Sequence, residues 1–342
     1  MLKKVTQTLF LILALTTLNG NAISAAKTIL KFGTIAPEGS DWHDAMLELR
    51  QKWLELSDGE IEMRIYAGGV LGGETEMVRK VQRRGLDGIA ISGAGLPNID
   101  SSIGCLNVPM LFNTYQELDY VRERVSPSVE QRAEKRGFKI LTWAEGGWVY
   151  FFTKRPVRTP DDLRKLRLWI TPGFPDHEKL FKEFKFQVVP LSATDMLTSL
   201  QTGLIEAIDV PPLFALLDRS YQIASNMTDV KWAPLNAAMV ISAKAWQKIP
   251  EQLRPELAAA AVEIGKGLRQ SIRTAESEAI NAMQDRGLTI VKIDPSEREM
   301  WKSEVESAHD QMPCNQEHPE LFHNILTLLQ EFKNSQTTAV QQ

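Results

Sequence analysis

Apolar and polar residues follow two distinct patterns along most of the chain. Short runs rich in β-branched and aromatic residues predict strands, and apolar residues spaced three to four apart predict amphipathic helices. Ile29 to Gly33 predicts a first strand, and Ser40 is placed to cap a helix with apolar positions from Trp42 to Leu56. Ile61 to Tyr66 predicts the next strand, with apolar residues on one face. This regular succession predicts an α/β fold with a parallel or mixed sheet.

The same two patterns continue towards the end of the chain. A glycine-rich turn at residues 68–73 precedes one helix, and a small-residue loop at residues 93–95 follows one strand. No low-complexity linker interrupts the succession, so crossing strands and helices must join the parts of the protein. Residues 331–342 are predicted to be a disordered tail. The other predicted elements are the helices Glu74 to Arg84, Tyr115 to Arg136, Pro250 to Arg286 and Pro295 to His309, and the strands Leu86 to Ser92, Phe138 to Trp143, Trp148 to Thr153 and Leu288 to Ile293.

Length and composition set the number of lobes. The chain has 342 residues, of which 43% are hydrophobic and 24% are charged. These values are typical of globular proteins and supply apolar material for about two cores. We therefore expect two lobes.

The first 26 residues have the features of a secretory signal peptide in their usual order. Lys3 and Lys4 precede an apolar run from Leu9 to Leu18, and small residues follow it, which allows cleavage after Ala26 or after Ala22. The apolar run is too short to cross a bilayer, which takes about 20 residues, and no later segment is long and apolar enough. The sequence predicts a periplasmic protein whose mature chain does not insert into the membrane.

The charge balance and the two cysteines exclude some classes of protein. The net charge of −4 becomes about −6 without the leader, because the leader holds two lysines and no acidic residue. Nucleic acid is therefore not an expected partner, since its binding needs a concentrated positive field.

Cys105 and Cys314 are too few for a multi-bridge disulfide framework. The apolar surroundings of Cys105 predict a core residue, and a bond between the two cysteines stays open.

The sequence lacks the arrangements expected of an enzyme. The turn at residues 68–73 has neither the lysine nor the hydroxyl residue of a phosphate loop, and no Gly-x-Ser-x-Gly nucleophile elbow occurs. The histidines lack the spacing with acids or cysteines that a metal site requires, and His43 is interpreted as structural or solvent-facing. We predict no catalysis, no cofactor and no metal.

Five separated segments share their order and spacing with one known family. These are Trp42-His43, Ile65 to Glu74, Val108 to Phe112, Lys154 to Leu163 and Leu197 to Gly203. Together they resemble the DctP family of binding proteins of tripartite ATP-independent periplasmic (TRAP) transporters, over roughly residues 28 to 310. The resemblance implies a type II-like periplasmic binding protein fold, in which two α/β lobes enclose a small molecule. Crossing strands and a long helix would join the lobes, and the ligand would pass to the TRAP membrane permease subunits.

The resemblance also implies lobe boundaries and a place for the ligand. The first lobe would comprise residues 27–146 plus 236–275, and the second lobe residues 147–235 plus 276–330. Ligands of open α/β sheets bind at the carboxyl ends of the strands. A carboxylate is favoured at a helix start, so both capping and ligand contact stay open for Glu74. The candidate contact residues at these ends are Ala36, Trp42, Glu74, Ser92 and Gly93, and Trp148 and Phe214 are further candidates.

Four positions depart from the pattern of the family. Most members hold the carboxylate of an organic acid with an arginine, and Trp169 stands at that place. Val149 stands at the place of a second arginine, Val210 at that of an asparagine and Ala193 at that of a phenylalanine. A buried carboxylate needs a charged or multiply hydrogen-bonding partner, so these replacements favour a neutral, apolar or aromatic ligand.

Three alternatives stay open at this point. Trp169, Trp148 and Val149 could be packing residues on buried strands. Arg167, two residues before Trp169 on the same strand face, could anchor an organic acid. The protein could also be a periplasmic ligand sensor or carrier that acts without a permease.

Overall fold

One long strand connects the two halves of the fold. The structure is a computed structural model that describes residues 27–171 and 175–340, and the predicted signal peptide lies outside them. The strand β4 (Phe138–Thr153) pairs over residues 138–149 with the late strand β9 (Ala233–Ser242), and over residues 150–153 with other strands. The sequence predicts two strands here, and the structure shows one strand whose pairing with β9 shifts register at the glycine pair, residues 146–147, and resumes at Trp148.

The first half of the fold is a sheet in the order β2-β1-β3-β9-β4. Strands β1, β2 and β3 are parallel, and β9 lies antiparallel between β3 and β4. The hydroxyl of Ser40 accepts a hydrogen bond from the backbone N–H of His43, which confirms the predicted cap of the first helix. The elements of this half are β1 (Thr28–Thr34), α1 (Asp41–Leu56), β2 (Ile61–Tyr66), α2 (Glu74–Gln82), β3 (Gly88–Ser92), short 3₁₀ turns at Leu96–Asn98 and Ser101–Asn107, and α3 (Tyr115–Lys135).

The second half continues the sheet in the order β4-β7-β5-β6, with β8 on β4 and β10 on β8. Strands β5, β6 and β7 are parallel to one another, and β7 lies antiparallel to β4. An aromatic-rich core fills this half and extends to α3 and to the 3₁₀ turn before it. Its elements are α4 (Pro160–Leu163), β5 (Arg167–Ile170), α5 (Pro175–Glu183), β6 (Gln187–Pro190), α6 (Ala193–Thr202), β7 (Ala207–Val210), α7 (Pro212–Leu217), a 3₁₀ turn (Ser220–Gln222), β8 (Asn226–Thr228) and β10 (Thr289–Val291).

A helix of 31 residues spans both halves. After β9 come α8 (Ala243–Lys248), a 3₁₀ turn (Glu251–Leu253) and the long helix α9 (Arg254–Gln284). The long helix packs against α1 and β4 and also against α7, which follows β7. The sequence predicts one helix from residue 250 to residue 286, and the structure starts it as a 3₁₀ turn.

The C-terminal segment returns to the first half of the fold. Helix α10 (Pro295–Ser307) begins with the predicted proline, and then come a 3₁₀ turn (His309–Gln311), α11 (Pro313–Glu317) and α12 (Pro319–Val340). Residues 331–340 are helical, in contrast to the predicted disordered tail. The ring of Phe332 packs 5.2 Å from that of Tyr120 in α3, and this tertiary contact is invisible in the sequence.

Candidate functional site

Two cavities lie between the halves of the fold. Cavity 1 has a volume of about 280 Å³ and cavity 2 of about 190 Å³. Their walls include residues at or next to the carboxyl ends of β1, β3 and β7, among them Thr34, Ser92 and Asp209. Both cavities therefore occupy the place where open α/β sheets bind ligands.

Leu235, near the start of β9, belongs to the walls of both cavities. It packs on Gly146 of β4, where an added Cβ would lie 2.7 Å from Leu235 Cδ2. A side chain at position 146 would force the Leu235 side chain to move. Leu235 thus divides the space between the halves.

Cavity 2 is formed by the loop after β1, by the end of β3 and by α7. Trp42 lines it, and its indole N–H donates to the carbonyl of Glu145 in β4 at 3.2 Å. Phe214 and Leu217 on α7 close the opposite side, and both are partly exposed. The side chains that meet here come from both halves of the fold.

Glu74 is buried in the wall of cavity 2. Its carboxylate accepts hydrogen bonds from the backbone N–H of Ser92 at 2.7 Å and from the Ser92 hydroxyl at 2.8 Å. Burial raises the pKa of Glu74. The carboxylate holds the loop that follows β3, and an added Cβ on Gly95 would lie 2.6 Å from Glu74 Oε2. Glu74 therefore both shapes the loop and faces the cavity.

Cavity 1 has a polar edge made of amides. The side chain of Asn107 donates to the carbonyl of Gly93 at 3.2 Å, and its oxygen accepts from the side chain of Asn236 at 3.0 Å. Asn236 also accepts from the guanidinium of Arg122 at 3.3 Å. These bonds join the wall of cavity 1 to the interior of the first half.

The structure places seven of the eleven predicted ligand-contact residues at the cavities. Val149 and Gly93 line cavity 1, and Ala36, Trp42, Glu74, Ser92 and Phe214 line cavity 2. The other four, Trp148, Trp169, Ala193 and Val210, line neither cavity. Val210 is buried at the end of β7 between two lining residues, Asp209 and Pro211, whereas Ala193 is exposed at the start of α6.

The two tryptophans of this group are packing residues in the structure. Trp169 is buried in the core of the second half, and its indole N–H donates to the carbonyl of Leu191 at 2.9 Å. Trp148 is fully buried, with its ring centre 5.5 Å from that of Tyr115. These positions agree with the alternative in which both residues are packing residues.

Arg167 lies at the outer end of β5 and lines neither cavity. Its guanidinium donates to the carbonyls of Gly203 and Leu204 and forms an ion pair with Glu206 at 3.2 Å. In this conformation the Arg167 side chain is bonded to residues that precede β7, at the amino end of β5. An acidic ligand would therefore need a different partner.

The cavity walls carry few charges. Among the described residues that line either cavity there is no lysine and no arginine. The polar groups of cavity 1 include Asn98, Ser101 and Asn107, and the acids facing the two cavities are Asp209 in cavity 1 and Asp41 and Glu74 in cavity 2. Such walls offer hydrogen-bond partners and apolar contact.

A cluster of charged residues joins α3, β4 and α9 behind the cavities. Arg273 on α9 donates to the carboxylates of Glu145 at 2.5 Å and Asp119 at 2.7 Å. Arg122 on α3 also pairs with both acids. Glu145 is almost fully buried, and the two arginines are its ion-pair partners there. Sequence analysis missed this cluster, because its members are far apart in the chain and no motif connects them.

The two cysteines form a disulfide. Cys105 in the 3₁₀ turn Ser101–Asn107 is bonded to Cys314 in α11. Their Cα atoms are 5.0 Å apart, and their sequence separation is 209. Cys105 is buried in the core, as predicted. The bond fixes the returning C-terminal segment to the first half of the fold.

The described residues form neither a metal-binding cluster nor a membrane-spanning helix. Within residues 27–171 and 175–340, no group of three or more histidine, cysteine or acidic side chains is arranged to hold a metal ion. No helix in these ranges combines the length and the apolar character needed to cross a bilayer.

Comparison with known families identifies the class of the protein. Bacterial extracellular solute-binding protein family 7 (DctP) matches residues 32–315. The chain belongs to this family, the periplasmic solute-binding proteins of TRAP transporters. It is a binding protein for small-molecule solutes and not an enzyme, as predicted.

Relatives with known structures share the fold. The chain is similar to a TRAP periplasmic solute-binding protein of Ralstonia eutropha H16 with bound (S)-2-acetolactate, with a TM-score of 0.83 and 18% identity over 89% of this chain and 99% of that one. It is also similar to one from Chromohalobacter salexigens with bound D-glucuronate, with a TM-score of 0.81 and 18% identity over 88% and 99% of the two chains. The predicted α/β periplasmic binding protein fold is confirmed.

One relative in sequence is the 2,3-diketo-L-gulonate-binding periplasmic protein YiaO of Escherichia coli (strain K12). It is 24% identical over 276 residues, which make up 78% of this chain and 82% of that protein.

Proposed function

We propose that this chain is the periplasmic solute-binding subunit of a TRAP transporter, which captures one small molecule between its lobes and delivers it to the membrane permease subunits. The observation that carries the proposal is the pair of cavities between the two halves of the fold, with walls from both halves. The halves are joined by β4, β9 and α9, so they can rotate towards each other around a ligand. We further propose the lobe boundaries and the cleaved leader given by the sequence.

An organic acid is the ligand class that the relatives support. The relatives named above bind 2,3-diketo-L-gulonate, (S)-2-acetolactate and D-glucuronate, all of which are carboxylates. With Arg167 turned away, a carboxylate in this chain would take hydrogen bonds from neutral donors, namely the second amide hydrogens of Asn98 and Asn107, whose amide groups already donate to the carbonyls of Gly95 and Gly93.

A neutral, apolar or aromatic ligand is the second candidate, and the cavity walls favour it. The described lining residues include no cation to offset the desolvation of an anion. Val149, at the place of a family arginine, presents only methyl groups to cavity 1.

The test begins with the protein as it is exported. The purified protein is unfolded, extracted with organic solvent, and the extract is examined by mass spectrometry. The refolded protein is then titrated by calorimetry with D-glucuronate and with a neutral panel that includes benzyl alcohol and phenol. Small-angle scattering should show a more compact form with the bound compound.

The outcomes separate the candidates. Binding of an acid at micromolar or lower Kd with no neutral binding supports the organic acid, and the reverse supports the neutral class. If no small molecule is extracted, none binds, and scattering never changes, the proposal of a solute-binding subunit is wrong. A ligand that binds but shows no transfer in vesicles holding the permease subunits would favour the sensor or carrier alternative.

A further inference from the structure

The returning C-terminal segment forms part of the wall of cavity 1. We name residues 309–318 the C-terminal strap; it comprises the 3₁₀ turn, α11 and His318. Met312, Pro313 and Cys314 of the strap line cavity 1. Met312 and Cys314 are also buried members of the core of the second half.

The strap is fastened to both sides of the cavity. On one side, the Cys105–Cys314 disulfide and a 2.8 Å hydrogen bond between Ser101 Oγ and His318 Nε2 hold it to the 3₁₀ turn after β3. On the other side, Lys179 Nζ on α5 donates to Gln316 Oε1 at 2.9 Å. The part of the cavity wall that the strap supplies is therefore bonded to the rest of the protein on both sides.

Apolar residues share the wall of cavity 1 with the strap. Besides Met312 and Pro313, the wall includes Pro97, Val149 and Leu180. The nearby polar side chains are engaged within the protein: Ser101 with His318, and the Asn98 amide with the carbonyl of Gly95 at 3.0 Å.

The size of the space fits a ring or a branched chain. Apolar cavities of about 150 Å³ are known to hold a benzene molecule without water. Cavity 1, with a volume of about 280 Å³, has room for such a group and for a smaller polar end towards the amide of Asn107. Removing an apolar group from water here is favourable by about 25 cal/mol per Å².

We propose that the C-terminal strap is a ligand-contacting wall, and that the space beside it receives an uncharged aromatic or branched aliphatic group of the solute. This inference rests on the proposed function and adds to it. It holds for either ligand class, because an organic acid can carry such a group at its other end.

The test uses the neutral fluorescent probe N-phenyl-1-naphthylamine and a variant that fills the space from the strap. Pro313 is the first residue of α11, where the loss of proline is tolerated, so Pro313→Trp adds bulk without removing a helix hydrogen bond. Gln311→Trp, on an exposed strap residue that lines no cavity, is the matched control. We expect saturable binding of the probe to the unmodified protein, at least tenfold weaker binding to Pro313→Trp, and a change of twofold or less in Gln311→Trp.

A second variant fills cavity 1 from the neighbouring 3₁₀ turn Ser101–Asn107. An added Cβ at Gly104, which also lines cavity 1, would meet only Pro97 Cγ at 3.8 Å, so Gly104→Leu has room at its base. Gly104→Leu should weaken binding of the probe to a similar extent. It replaces Pro313→Trp in the test if circular dichroism shows that Pro313→Trp does not fold. The inference is overturned if the probe does not bind the unmodified protein, or if it binds the folded filling variants as tightly.

Native mass spectrometry of the exported proteins separates this failure from that of the proposed function. A co-purifying solute retained equally by the unmodified protein and by Pro313→Trp would overturn the role of the strap and leave the proposed function standing. Absence of any bound solute in all variants, together with failure of the calorimetric panel, would count against the proposed function itself.

Discussion

The carboxylate of Glu276, on the long helix α9, accepts a hydrogen bond from the backbone N–H of Trp148 in β4 at 2.8 Å. The same oxygen accepts the hydroxyl of Tyr115 in α3 at 2.6 Å. One buried carboxylate thus joins three elements at the point where β4 leaves the first half of the fold. These bonds hold α3 and α9 to β4 where β4 passes between the two halves.

Gly147→Ala should disturb this junction. Gly147 has a φ of +95°, and an added Cβ would lie 2.8 Å from Glu276 Oε2. Gly287 has a φ of +101° with nothing within 4 Å of an added Cβ, so Gly287→Ala is the matched control. The left-handed backbone should cost each variant about 1–2 kcal/mol of unfolding free energy.

Gly147→Ala should lose about 1 kcal/mol more than its control, because the Glu276–Trp148 hydrogen bond must lengthen or break. Urea unfolding of both variants measures the difference. Equal losses would mean that the junction adjusts without strain.

Glu276 should also make stability depend on pH. Burial raises the pKa of Glu276 above its ordinary value of 4.5, so the folded state holds this proton more tightly than the unfolded state does. The resulting stabilisation is complete below pH 4.5 and is lost as the pH rises through the folded-state pKa. Glu276→Gln removes the titrating group, so the unmodified protein should lose stability relative to this variant as pH rises.

Urea midpoints of both proteins between pH 4 and pH 8 provide the measurement. A stability difference that stays constant across this range would contradict the raised pKa. Glu74→Gln, on a second buried carboxylate that bonds to Ser92 instead of to β4, indicates whether the effect belongs to this junction or to buried acids in general.

Local signals in the sequence predicted much of the fold. The Ser40 cap, the strand at residues 61–66 and the long helix of α3 follow from side-chain spacing and capping chemistry, which act over a few residues. The continuity of β4 was not predictable, because Gly146 and Gly147 resemble a turn until β9 is seen to pair across them. The helical C-terminus depends on packing against α3, which is a tertiary contact.

The site could be predicted by position more easily than by orientation. Loops at the strand ends, such as those with Ala36 and Ser92, line the cavities because topology brings them there. Whether Trp169 faces a cavity or the core depends on strand register and on a partner, the carbonyl of Leu191, that lies 22 residues away. The charged cluster around Glu145 depends on contacts between three distant elements.

Removing the disulfide should weaken the fold. Cys105→Ser with Cys314→Ser takes away a cross-link between residues 209 positions apart, and loops of this length gain most from being closed. We expect a loss of about 2–5 kcal/mol in unfolding free energy, and treatment of the unmodified protein with a reductant should produce a similar loss. Denaturant unfolding with and without reductant measures both, and the double variant should be insensitive to reductant. A double variant as stable as the unmodified protein would show that packing alone holds the strap.

Trp169→Phe and Val149→Ala distinguish a packing residue from a ligand-contacting residue. Trp169 lines neither cavity, and its indole N–H bonds to the carbonyl of Leu191, so phenylalanine leaves this partly buried carbonyl without its partner. We expect a loss of about 1–3 kcal/mol in unfolding free energy and no more than a twofold change in the Kd of N-phenyl-1-naphthylamine.

Val149 lines cavity 1, where alanine removes two methyl groups from contact with a bound molecule. The probe should lose about 1 kcal/mol of binding free energy, which raises its Kd roughly fivefold. Fluorescence titration and urea unfolding of both variants give the four values. If Trp169→Phe weakens the probe more than Val149→Ala does, Trp169 faces the ligand in solution, and the position of its side chain described above does not persist when ligand is bound.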